Sequence, residues 1–133
     1  VSLGRGTDKA FQMYGHPNMK GYSFSFTPRS IPGAKFPPQL NKECFGVDLR
    51  TTPSIEEINK TGINLEYVID AYKNLNLDDH FFRSFFELLI GKSYVRKMIM
   101  EGKSAAEIKA MWADDVVKFK QQRKPYLLYP SKD

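Results

Sequence analysis

Glycine and proline are spread unevenly along the chain, and that unevenness constrains the fold more than any single motif. Seven of nine glycines and six of eight prolines lie in residues 1–62. Both residue types interrupt helices, so this half is expected to be strands and structured loops. Tyr22-Ser23-Phe24-Ser25-Phe26 alternates aromatic and small polar residues. That period of two predicts a strand with one buried face, most simply the inner face of a sheet covered by helices. Pro28 and Pro32-Gly33 end it and open a loop running through Pro37-Pro38. Cys44 to Arg50 reads as a second strand with Phe45, Val47 and Leu49 on one face, and a third is expected around Ala10 to Tyr14.

Residues 63–133 read as helical. Ile63, Tyr67 and Ala71, with Val68, Tyr72 and Leu75, form an amphipathic stripe. Asp78 or Asp79 is placed to cap a helix carrying Phe81, Phe82, Phe85, Leu88 and Leu89, ending at Gly91. Ser93 is placed to cap a short helix that stops at Gly102. Ser104-Ala105-Ala106-Glu107 is a capping-box pattern opening a helix with Ile108, Met111, Trp112, Val116 and Phe119 on one face. Strands first and about four helices second predict an α+β domain, a small mostly antiparallel sheet packed against helices. No internal repeat is visible.

The 133 residues suit one domain with its own core. With 41% hydrophobic and 26% charged residues, wholesale disorder is excluded. The longest apolar runs, such as Leu88-Leu89-Ile90, are too short to cross a bilayer. The net charge of +5 is spread over both halves, which argues little for nucleic acid. Cys44 is the single cysteine, so no internal disulfide forms. Val1 is not an initiator methionine, and the chain is expected to be part of something larger.

Gly4-Arg5-Gly6-Thr7-Asp8-Lys9 is the most unusual stretch. Its glycines permit positive φ and close ligand approach, and Arg5 between them offers a fork of donors for a carboxylate or phosphate. Lys9 stands where a dinucleotide fingerprint needs its third glycine, and no Walker A loop is present. An ordinary turn with a surface arginine fits the same residues. In Gly15-His16-Pro17-Asn18, His16 is either a hydrogen-bonding or acid–base group or a histidine held in a turn. No metal or cofactor is expected, because His80 is the only other histidine and no ligand spacing surrounds either. The carboxylate pairs Glu56/Glu57, Asp78/Asp79 and Asp114/Asp115 are sequence neighbours that diverge on a helix, so no catalytic dyad is read. Cys44 reads as a small buried hydrophobe. The basic run from Lys118 to Lys124 suits a helix C-terminus.

Taken in order, Gly4 to Phe11, Gly15-His16-Pro17, Phe26-Thr27-Pro28, Cys44 to Val47 and Arg123 to Tyr129 resemble the C-terminal part of the bacterial exo-β-N-acetylmuramidase family, formerly catalogued as a domain of unknown function. The resemblance covers nearly all of residues 1–133. The loop from Thr27 to Lys42 and the stretch Phe45 to Arg50 look closest to Bacteroidetes members. Members often carry Pro where Ala10 stands and Ala where His16 stands, so a role for His16 would not be family-wide.

The resemblance implies that this chain is the accessory half of a peptidoglycan-recycling glycosidase that releases N-acetylmuramic acid from non-reducing ends. A Rossmann-like N-terminal domain would carry the catalytic acids and be its partner, in the periplasm or outside the cell. The stretch from Gly4 to Thr7 would form one wall of the cleft, with Arg5 and Thr7 binding muramic-acid-containing fragments. The rival expectations are a stand-alone peptidoglycan-binding module and, further off, a single-stranded nucleic-acid-binding domain using the aromatic strand.

Overall fold

The computed structural model describes residues 1–50 and 53–129. The last four residues of the expected helical half, 130–133, lie outside them. Three strands come first: β1 (Met13–His16), β2 (Phe24–Phe26) and β3 (Cys44–Asp48). Six α-helices follow: α1 (Ile55–Thr61), α2 (Glu66–Leu75), α3 (Phe85–Ile90), α4 (Ser93–Met100), α5 (Ala105–Ala110) and α6 (Ala113–Arg123). Short 3-10 turns occupy Asp78–Phe81 and Lys124–Tyr126. The class is α+β, as the distribution of glycine and proline predicts. By compactness the chain divides into two units, Val1–Phe81 and Phe82–Asp133.

In the first unit the sheet is antiparallel in the order β1-β3-β2. Tyr14 pairs with Val47 and Gly15 with Gly46, while Phe24 pairs with Gly46 and Phe26 with Cys44. Paired residues share a face, and faces alternate along a strand. Tyr14, His16, Phe45, Val47 and Ser25 therefore share one face. Met13, Gly15, Gly46, Phe24, Phe26 and Cys44 share the other.

Helix α2 covers the first face. Tyr14, Met19 and Ala71 are buried together, with Tyr22, Val47, Leu49, Tyr67, Leu75 and Phe81 packed around them. Two polar residues one helical turn apart fasten α2 to this half. Asp70 accepts the hydroxyls of Tyr14 (2.7 Å) and Tyr22 (2.7 and 2.8 Å). Asn74 accepts the Lys20 amide and donates to the Lys20 carbonyl, both at 2.9 Å.

This clamp has an alkaline signature. Burial, and then the Asp70 carboxylate, push the Tyr14 hydroxyl far above its ordinary range and that of Tyr22 up to about 12. A raised folded-state pKa contributes stability that is complete below the unfolded value of about 10 and is lost as pH rises through the folded value. Two of the seven tyrosines should thus ionise late in a 295 nm titration, with unfolding free energy falling above pH 10. Seven tyrosines titrating as one population would contradict it.

The structure departs from the expected elements in several places. The strand expected around Ala10 to Tyr14 is displaced to Met13–His16, Ser93 is the first residue of α4 after Lys92 rather than its cap, and Ile63 lies exposed ahead of α2. Strand β2 begins only at Phe24, because a bend at Ser23 turns Tyr22 toward α2 and leaves Phe24 and Phe26 on the opposite face. Helix α1 lies in the half expected to hold only strands and loops. Ser54 and Glu57 make a full capping box there, and α1 buries no residue. The helix expected from Asp78 or Asp79 to Leu89 is broken, with the 3-10 turn ending at Phe81 and α3 starting at Phe85. The helix expected from Ser104 through Phe119 is two. Ser104 and Glu107 cap α5 as read, but it stops at Ala110, and α6 restarts with Asp114 and Asp115 in its first turn. Acidic residues favour a helix N-terminus, which stabilises the restart.

In the second unit Val95, Ile99 and Ile108 are buried. Arg96 meets Glu87 at 2.8 Å, joining α4 to α3. Met111, Val116 and Phe119 are exposed.

Candidate functional site

The opening residues form a closely tied loop. Ser2 and Gly15 exchange two backbone hydrogen bonds (2.8 and 3.0 Å), and the Phe11 amide donates to the Leu3 carbonyl (2.7 Å). The Gly4 carbonyl accepts both the Thr7 amide (3.1 Å) and the Thr7 hydroxyl (2.7 Å). The same hydroxyl accepts the Lys9 amide (3.1 Å). The Gly4 amide points to the Ser2 hydroxyl (3.4 Å), and the Arg29 amide donates to the Gly6 carbonyl (2.8 Å). Thr7 thus shapes the loop with its hydroxyl, and the amides of Gly4 and Thr7 are engaged.

Gly4 and Gly6 have φ of +75° and +85°, a region that side chains other than glycine rarely enter. Arg5 stands between them at an exposed position. Among the described residues neither its guanidinium nor the amides of Arg5 and Gly6 have a hydrogen-bond or ion-pair partner. An unpaired, exposed guanidinium on a pinned loop is free to meet an anion.

Gly6 also has no room for a methyl group. A Cβ there would lie 2.6 Å from both the Arg29 carbonyl oxygen and the Pro37 ring. Gly6→Ala is expected to lose about 2–3 kcal/mol by urea unfolding, combining backbone strain and overpacking. Gly33→Ala is the control, with φ +84° and nothing within 4 Å, and should lose only the backbone part, about 1 kcal/mol. Equal losses would show that the packing around Gly6 is not tight.

Beyond Gly6 the loop forms one side of an open groove of about 540 Å³. Gly6, Thr7, Asp8 and Lys9 line it with Met13, Phe24 to Thr27, Arg29, Ile31 and Arg50. The Phe24 and Phe26 rings lie 6.0 Å apart at 32°. Phe26 rests over Gly15, where a Cβ would come within 2.9 Å of its ring. Arg50 grips Asp48 with Nε and Nη2 (2.6–3.0 Å), holding that carboxyl down at about 2. Lys9 pairs with Asp8 at 3.0 Å, whereas Arg29 has only a 3.4 Å contact with Asn41. Nothing in the sequence marks Phe24, Phe26, Arg29 and Arg50 as neighbours of the opening loop.

His16 ends β1 on the α2-facing side, away from the face that carries Met13, Phe24 and Phe26. Its Nδ1 accepts the Asn18 amide (3.1 Å), and burial lowers its pKa. That fits the histidine held in a turn. Cys44 is fully buried and burial raises its thiol pKa, as expected of a packed hydrophobe. Among the described residues no group of three or more His, Cys, Asp or Glu is placed to hold a metal ion. Nor is any helix long and apolar enough to cross a membrane.

Comparison with known proteins identifies the family of the chain. Residues 1–129 match the family described as Exo-beta-N-acetylmuramidase NamZ, C-terminal. The chain belongs to that family. A curated relative, the peptidoglycan beta-N-acetylmuramidase NamZ of Bacillus subtilis (strain 168), is 33% identical over 97% of the chain. A crystal structure of a DUF1343 family protein from Bacteroides fragilis NCTC 9343 superposes with a TM-score of 0.95, at 69% identity over 99% of the chain. The chain spans 34% of the NamZ relative's length and 37% of the crystallised chain.

Proposed function

We propose that this chain is the substrate-binding accessory part of a peptidoglycan glycoside hydrolase, an exo-β-N-acetylmuramidase acting at non-reducing ends in cell-wall recycling. The observation that carries the reading is Arg5, an unpaired guanidinium held between two positive-φ glycines on a loop pinned at both ends. N-acetylmuramic acid bears a lactyl carboxylate, and a guanidinium binds such a group bidentately. The amides of Arg5 and Gly6 supply further donors, and Gly4 and Thr7 hold the loop in shape. The loop would form one wall of a cleft whose other wall, with the catalytic acids, is a Rossmann-like domain preceding this segment. The site of action is the periplasm or the cell exterior, where that substrate lies.

Two features favour a shared active site over self-contained catalysis. The exposed pairs Glu56/Glu57, Asp78/Asp79 and Asp114/Asp115 lie on helices or turns and do not line the groove. Asp8, on the groove's rim, is 82% exposed and paired with Lys9. The test is an assay for N-acetylmuramic acid release from a chromogenic muramide. The full-length protein is expected to release it and this chain alone to release none. Hydrolysis by the chain alone, or none by the full-length protein, would overturn the proposal.

A further inference from the structure

Helix α3 is unusually apolar for an element on the surface. Phe85, Phe86, Leu88, Leu89 and Ile90 are apolar and only Glu87 is charged, yet the helix buries no residue. Phe85, Leu88 and Leu89 follow the i, i+3, i+4 spacing that sets side chains beside one another on one helix face. They are 59%, 76% and 74% exposed. Phe86 and Ile90, one turn apart, form the half-buried side, with the Phe86 ring 4.8 Å from that of Phe82. Glu87 is held by Arg96 of α4 at 2.8 Å. The outer stripe therefore carries no charge of its own.

A helix apolar on every side is ordinarily buried on every side. One this short also depends on packing to persist in water. The stripe therefore calls for an apolar cover. An acidic sugar or a nucleic acid finds no cation and no hydrogen-bonding side chain on it. A second copy of the chain would need about 20–30 residues a side for a stable dimer, and the stripe supplies three. A domain of the same polypeptide needs far less, because the tether supplies a high effective concentration. The relatives have such a polypeptide. The segment matches the C-terminal part of the family and spans 34% and 37% of their chains.

We propose that the stripe of Phe85, Leu88 and Leu89 docks on an apolar patch of the domain that precedes this segment in the full-length protein. The proposal shares with the muramidase reading only the existence of that domain, and its test involves no substrate. In the full-length protein, Leu88→Cys is labelled with a maleimide and the modified peptide is followed by mass spectrometry. It should react at least about tenfold more slowly than Lys97→Cys on α4, a position 79% exposed and outside the stripe. Phe85→Cys should be protected likewise, so the result does not hang on one variant. In urea all three should react alike, which ties the difference to the fold. Protection should be the same in dilute and concentrated protein. If Leu88→Cys and Phe85→Cys react as fast as Lys97→Cys, or if protection grows with protein concentration as a second copy would make it, the proposal is overturned. Protection in a protein that releases no N-acetylmuramic acid would keep this docking and remove the muramidase reading.

Discussion

Replacing Asp70 with alanine is expected to remove about 3 kcal/mol of unfolding free energy, with the urea slope unchanged. Two hydroxyls converge on that carboxylate, and they do not lose equally. Tyr14 is only 5% exposed, so its hydroxyl would be stranded without a partner. An unsatisfied buried polar group costs about 1–3 kcal/mol. Tyr22 is less deeply buried and regains water, so its share is smaller. Asp70→Asn keeps one acceptor and should lose roughly half as much. Glu66, exposed at the start of the same helix, is the control and should stay within about 0.5 kcal/mol when replaced by alanine. A loss of that small size at Asp70 would mean that water satisfies both tyrosines and that apolar packing alone holds α2.

Legibility in the sequence followed the range of the interaction that decides each feature. Strand β3 and the α5 cap are local patterns and read directly, as does Gly91, the left-handed C-cap of α3. The Ser54-to-Glu57 box is the same signature as Ser104 to Glu107. It is equally legible, but the surrounding glycines and prolines argue for a loop. The break between α5 and α6 falls at Met111-Trp112, where neither glycine nor proline announces it. Asp70 and Asn74 look like the polar residues of any amphipathic helix, and their partners lie far away in the chain. The opening loop stood out because glycines flanking an arginine are a local anomaly. The groove beside it did not, since it is closed by the Arg29 amide on Gly6, a contact that only the fold creates.

On the proposed function, Arg5→Ala in the full-length protein is the second large effect. A charge-assisted hydrogen-bonded contact to a carboxylate contributes about 2–3 kcal/mol, so kcat/KM on a muramide should fall roughly 30- to 150-fold. Arg5→Lys keeps the charge but not the fork and should recover part of the loss. Both variants should fold normally, because Arg5 is exposed and has no internal partner among the described residues.

The decisive measurement pairs this variant with two substrates, a chromogenic N-acetylmuramide and the corresponding N-acetylglucosaminide, which lacks the lactyl carboxylate. If Arg5 receives that carboxylate, Arg5→Ala lowers kcat/KM for the muramide and leaves the slower glucosaminide reaction nearly unchanged, so the preference between them collapses. Equal losses on both substrates, or no loss on either, would contradict the assignment of this loop as the receptor for the acidic sugar.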